Sequence, residues 1–125
     1  MDIGEFQGVK PVKENNLVII IGSDKYGNGD GRWSEMLMES YLYALSESST
    51  LPKELIFYNS GVKLTAEGSN VIESLEILKS KGVRILICGA CLDFYKLEDM
   101  LIIGEVTNMY EIVEIMNKAS NTINI

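Results

Sequence analysis

Cys88 and Cys91 are the only thiols in a chain of 125 residues that has no histidine. They lie in the segment Val83-Arg84-Ile85-Leu86-Ile87-Cys88-Gly89-Ala90-Cys91-Leu92-Asp93-Phe94-Tyr95, where an apolar strand gives way to a short helix. Sites in open α/β sheets lie just beyond the carboxyl ends of parallel strands. Backbone N–H groups of a new helical turn favour a thiolate there. Without histidine most other routes to catalysis are closed, so any chemistry here is expected to be sulfur chemistry.

A Cys-x-x-Cys pair permits three reactions. Dithiol–disulfide exchange on a thioredoxin-like fold also requires a cis-proline later in the chain. Both prolines, Pro11 and Pro52, precede the cysteines, so that fold is not expected, although a Cys88–Cys91 redox switch on another fold stays open. Zinc needs four ligands, and two thiolates without histidine leave it short even with Asp93 nearby. No metal and no cofactor are therefore expected. Sulfur carriage needs only a nucleophilic thiolate in a sheltered, electropositive corner, with a second thiol to release the cargo. The plain reading is that both cysteines are small buried hydrophobes; their pairing at a strand end favours function.

The elements that must hold this pair follow from the apolar pattern. Asn16 to Ile21 is a β-branched run suited to a strand buried on both faces. After a loop with glycines at 22, 27, 29 and 31, a helix is expected with Trp33, Met36, Leu37, Tyr41, Ala44 and Leu45 inward. Met38, Leu42 and Tyr43 make that helix apolar almost all round, which suggests deep burial or a partner surface. A second strand covers Glu54–Tyr58. A second helix starts near Ser69, with Val71, Leu75 and Leu78 inward and Gly82 as its stop. The third strand runs from Val83 to Ile87, and a short fourth is expected at Leu101–Ile103. Thr107 or Asn108 caps a last helix with Met109, Ile112, Val113 and Met116 inward, and residues 121–125 form an edge strand. Alternation of strands and helices over short connections implies a three-layer αβα sandwich with a mainly parallel sheet. Residues 1–15 read as a tail or linker, and residues 16–125 as one domain.

Charge and composition narrow the setting. A net charge of −7 argues against nucleic acid and anionic membranes. No apolar run approaches the roughly 20 residues of a membrane span, and the first residues do not resemble a signal peptide. Two close cysteines without such a signal suggest the cytoplasm.

The glycine loop fits neither G-x-G-x-x-G nor the P-loop pattern, and Asp24 and Asp30 would repel phosphate. A lid or a subunit-contact loop is the better expectation. Asn59, Ser60 and Lys63 follow the second strand on the cysteine rim, and Lys63 can bring positive charge near a thiolate. An ordinary turn with a solvated lysine accounts for them equally well.

The motifs Gly22-Ser23-Asp24, Phe57-Tyr58-Asn59-Ser60-Gly61-Val62-Lys63-Leu64, Cys88 to Tyr95, and Gly104-Glu105-Val106-Thr107-Asn108-Met109-Tyr110 together resemble the DsrE-like sulfur-relay proteins. More closely, they are similar to the DsrE-like domain of YedF-type selenium metabolism proteins. The resemblance spans about residues 16 to 118, and the cysteine segment is its most specific part. It implies a sulfurtransferase-like, homo-oligomeric carrier of sulfur or selenium. The acceptor would be Cys88 and the helper or resolver Cys91, with Asn59, Ser60, Lys63, Thr107 and Asn108 around them. Partners would be sulfur or selenium donor and acceptor proteins, including a TusA-like thiol domain. A binding module that uses the rim without thiol chemistry is the alternative.

Overall fold

The computed structural model describes residues 16–125. Residues 1–15, read above as a tail or linker, lie outside the described residues. The strands are β1 (Leu17–Ile21), β2 (Glu54–Phe57), β3 (Arg84–Cys88), β4 (Glu105–Thr107) and β5 (Asn121–Asn124). They form a five-stranded sheet in the order β4-β3-β2-β1-β5, and every neighbouring pair is parallel. The helices are α1 (Gly31–Ser46), α2 (Ile72–Ser80), α3 (Gly89–Phe94) and α4 (Met109–Lys118). Short 3-10 segments cover Asn59–Thr65 and Glu98–Met100. The α/β class expected from the alternating pattern is the one observed.

Topology decides which helix covers which face. The chain steps in one direction from β1 to β4, and right-handed crossovers put α1, α2 and α3 on one side. It then returns across the sheet to β5, which places α4 on the other side. Strand side chains alternate accordingly. Ile19, Ile21, Leu55, Phe57, Ile85 and Ile87 join Met38, Leu42, Leu75 and Leu78 in the larger core. Val18, Ile20, Ile56, Leu86 and Cys88 pack with Ile112 of α4 in the smaller one.

Three sequence expectations need correction. The fourth strand is Glu105–Thr107, not Leu101–Ile103; Leu101 makes only a single antiparallel bridge to Ala66. An edge strand needs no apolar run, so hydrophobicity picked the buried Ile103 and missed the ladder beyond Gly104. Helix α1 buries Ser34, Met38, Leu42 and Ser46, whereas Trp33 is 57% and Met36 52% exposed. A helix apolar nearly all round carries no period strong enough to choose its face. Its small serines permit close approach to the sheet, and the Ser46 hydroxyl is satisfied by donating to Tyr43 O at 2.6 Å. In α4 only Ile112 is fully buried, with Ile115 and Ala119 against it, while Met109, Val113 and Met116 stay substantially exposed. A single helix over that face needs only one narrow apolar stripe, and its second stripe points away.

Capping sets where the helices begin. Asp30 Oδ1 accepts the Trp33 N–H at 3.0 Å, and Asn108 Oδ1 accepts the Glu111 N–H at 3.0 Å. The second cap was expected. The first gives the loop aspartate a structural task. Among the described residues no helix is long and apolar enough to cross a membrane.

Candidate functional site

Cys88 ends β3 and is also the N-cap of α3, with extended φ −64° and ψ 117°. The turn that follows passes close to β4. A Cβ on Gly89 would lie 2.9 Å from Val106 Cγ1 and 3.3 Å from Thr107 O, so this position needs glycine. Cys88 is 4% exposed and belongs to the core beneath α4. Its register partner in β4 is Thr107, itself 6% exposed.

Cys91 lies one turn into α3, half-buried, where it touches both cores at the end of the sheet. Both thiols are free. The Cys91 Sγ accepts the backbone N–H of Asn59 at 3.0 Å, across from the loop after β2. Asn59 reaches this position in the left-handed region, φ 51°, which asparagine tolerates better than most residues. The Tyr95 hydroxyl donates to Asn59 Oδ1 at 3.3 Å. Lys63 Nζ sits 4.9 Å from the centre of the Tyr95 ring, and Phe94 packs edge-on against the same ring at 5.0 Å. A chain of contacts therefore links Cys91 through Asn59 and Tyr95 to a cation.

The other expected rim residues are occupied differently. Ser60 Oγ accepts the Asp24 N–H at 3.3 Å and so ties the glycine loop to the loop after β2. Thr107 donates its hydroxyl to Glu111, and Arg84 bridges Glu105 and Glu111 at 3.3 and 3.2 Å. The Thr107 hydroxyl, followed by the Arg84 guanidinium, holds the Glu111 carboxyl below the ordinary carboxylate value. Asn108 is committed to its cap. The structure thus gathers Cys88, Cys91, Asn59 and Thr107, and brings Lys63 in through Tyr95. Ser60 and Asn108 serve the scaffold. Tyr95 was overlooked as a site residue; its signal was its spacing, one turn beyond Cys91, whose carbonyl accepts the Tyr95 N–H at 3.0 Å.

The expected thiolate stabilisation is not found at Cys91. Burial, and then the neighbouring Cys88 thiol, push the Cys91 thiol above its ordinary value, against the opposing pull of the Asn59 N–H. Helix α3 has only six residues, too few for its dipole to reverse the balance. The resting thiol is therefore neutral at pH 7. Alkylation of Cys91 by iodoacetamide, followed peptide by peptide, is expected to be slow at pH 7 and to accelerate only above the ordinary thiol range. A profile with its inflection below that range contradicts this assignment. The stability sign is the same: a raised folded pKa contributes stability below the unfolded value and loses it as pH rises through the folded one.

On the same rim, a polar cleft of about 170 Å³ is bordered by Asp24, Glu35, Glu39, Lys63, Ser69 and Asn70. Lys25 pairs with Asp24 and Glu35 at its edge, so the glycine loop is packed by ion pairs and by the Ser60 contact. Among the described residues, no group of three or more His, Cys, Asp and Glu side chains is placed to hold a metal ion.

Fold and site together define an open, all-parallel α/β domain with a thiol pair at the carboxyl end of its second-from-edge strand. The chain belongs to the DsrE/DsrF-like family, whose model matches residues 15–125. Among the solved structures that share the fold are three from different organisms. The ychN protein from E. coli is 22% identical, with a TM-score of 0.68, and the match covers 90% of this chain and 100% of that one. MTH1491 from Methanobacterium thermoautotrophicum, a protein of unknown function, is 20% identical, with a TM-score of 0.67 and the same coverage of 90% and 100%. BT1422 from Bacteroides thetaiotaomicron, a conserved protein of unknown function, is 15% identical, with a TM-score of 0.59 over 88% of this chain and 95% of that one. No curated protein matches the chain by sequence.

Proposed function

We propose that this chain is a sulfurtransferase-like carrier that holds sulfane sulfur, or selenium, as a persulfide-type intermediate on the Cys88–Cys91 pair, with Cys88 as the carrying thiol. The observation that carries the reading is the placement of two free thiols at the end of β3, the outer one receiving the Asn59 N–H. A persulfide is a stronger acid than the thiol it forms on. The outer sulfur of a persulfide therefore ionises more readily than a plain thiol. The Asn59 N–H lies on Cys91, and Lys63 lies over the Tyr95 ring, so both support an anionic sulfur on the Cys91 side of the pair.

Donor and acceptor would be other thiol proteins, a TusA-like domain among them. We also propose assembly of several copies, supported by exposed apolar side chains on two helices: Trp33, Met36 and Tyr43 on α1, and Met109, Tyr110 and Val113 on α4.

The test is intact-protein mass spectrometry after exposure to a persulfide donor. Wild type is expected to gain about one sulfur mass, removed by reductant, and the Cys88→Ala/Cys91→Ala double variant to gain nothing. A loss of about two protons in place of the gain assigns the pair to a dithiol switch. Inert thiols leave the binding-module reading, with the rim cleft as its site. Native spectra of the same samples are expected to show more than one chain per particle, and a lone chain removes the assembly.

A further inference from the structure

We infer that incoming sulfur is taken up on Cys91, and that Cys88 receives it only from Cys91. This rests on the carrier reading above and assigns the order in which the two thiols act.

Burial separates the two sulfurs. Cys88 is 4% exposed, with Val18, Ile20, Ile56, Leu86 and Ile112 closing the core around it. Sulfur transfer requires the attacking thiolate to approach along the axis of the S–S bond that breaks. A donor large enough to carry a persulfide cannot bring that bond into line with an atom enclosed in this way. Cys91 is half-buried at the edge of the two cores.

Orientation points the same way. The Asn59 N–H meets the Cys91 Sγ from the loop after β2, so this sulfur faces the rim. From Asn59 the contacts run on to the Tyr95 hydroxyl, and the Tyr95 ring carries the Lys63 ammonium over its face and Phe94, 76% exposed, at its edge. An exposed aromatic beside a cation suits a partner that presents an anionic persulfide. Around Cys88 the packing is close: its neighbour Thr107 is 6% exposed, and the next residue, Gly89, has no room for a Cβ against Val106 and Thr107 O.

The chemistry balances without an oxidant or a reductant. The Cys91 thiolate attacks the outer sulfur of a donor R–S–SH. The Cys91 S–S bond forms, the donor S–S bond breaks, and R–S⁻ leaves and takes up the proton that Cys91 released. A second exchange of the same kind moves the outer sulfur from Cys91 to Cys88 and returns Cys91 as a thiol. Attack by Cys88 on the inner sulfur would instead form the Cys88–Cys91 disulfide and expel hydrosulfide, a different outcome by mass.

The test uses the full chain, with glutathione persulfide as the donor R–S–SH, and follows the early rate of sulfur gain by intact mass. Cys91→Ser keeps an acceptor for the Asn59 N–H, and Cys91→Ala is run beside it so that a folding defect in one replacement is recognised. Both are expected to load at least about tenfold more slowly than wild type. Cys88→Ala is expected to take up one sulfur, mapped to Cys91, and to fail to move it inward. Loading of Cys88 at the wild-type rate in both Cys91 variants overturns the inference and leaves the carrier reading standing. Disulfide formation in wild type in place of a mapped Cys88 persulfide overturns the inward step. Absence of sulfur from wild type and every folded variant removes the carrier reading and the inference together.

Discussion

Gly61→Ala is expected to destabilise the domain by roughly 3 kcal/mol, measured as a fall in the urea midpoint with an unchanged m value. The added methyl would sit 2.4 Å from the carbonyl oxygen of Ile21 and 3.3 Å from the Ser23 nitrogen. That carbonyl cannot retreat, because it already accepts the Tyr58 N–H at 3.1 Å at the end of the β1–β2 pair. Either the strand pair parts or the loop carrying Asn59 and Lys63 lifts. The second response would also remove the Asn59 N–H from Cys91. Gly31→Ala is the control: the added methyl meets only the flexible Lys25 Cε, at 3.4 Å, and a helical first-turn alanine is expected to be neutral or stabilising by about 0.5 kcal/mol. Equal midpoints for the two variants would show that the close approach to Ile21 is not rigid.

Phe57→Ala is expected to cost about 4 kcal/mol, through lost transfer energy and the cavity left behind. Phe57 is completely buried in the larger core, between the sheet and α1, α2. A domain of this size has a total stability of roughly 5–15 kcal/mol. One side chain thus accounts for a large part of the margin. Phe57 is also the last residue of β2, directly before Tyr58 and Asn59. Looser packing there is expected to raise Cys91 alkylation at pH 9 as stability falls. A loss below about 1 kcal/mol would mean that the core closes over the vacancy.

Much of the site is legible in the sequence. The apolar run Ile85-Leu86-Ile87 into Cys88 marks a buried strand, because strands covered on both faces show little polar side. The pair itself, with Asn59 and Lys63 on one rim, followed from the rule that loops after parallel strands gather at one edge. The roles within that rim were not readable. Ser60 and Asn108 have side chains as polar as Asn59, and nothing local distinguishes a residue that ties down a loop or caps a helix from one that faces a thiol. Spacing places Tyr95 one turn beyond Cys91, but its contact with Asn59 exists only where the loop after β2 meets α3.

The sequence alone determined the class of fold, the order of its elements and the kind of chemistry available. Each of these depends on local periodicity or on residue type, which do not change on folding. It could not determine which side of α1 and α4 lies inward, since both helices carry more apolar surface than one face can use. It also could not rank the two thiols. The depth of Cys88 and the half-exposure of Cys91 arise where β3, β4, α4 and the loop after β2 meet. Burial, and the pKa shift that follows from it, are properties of residues distant in the chain and close in space. Only the tertiary structure brings them together.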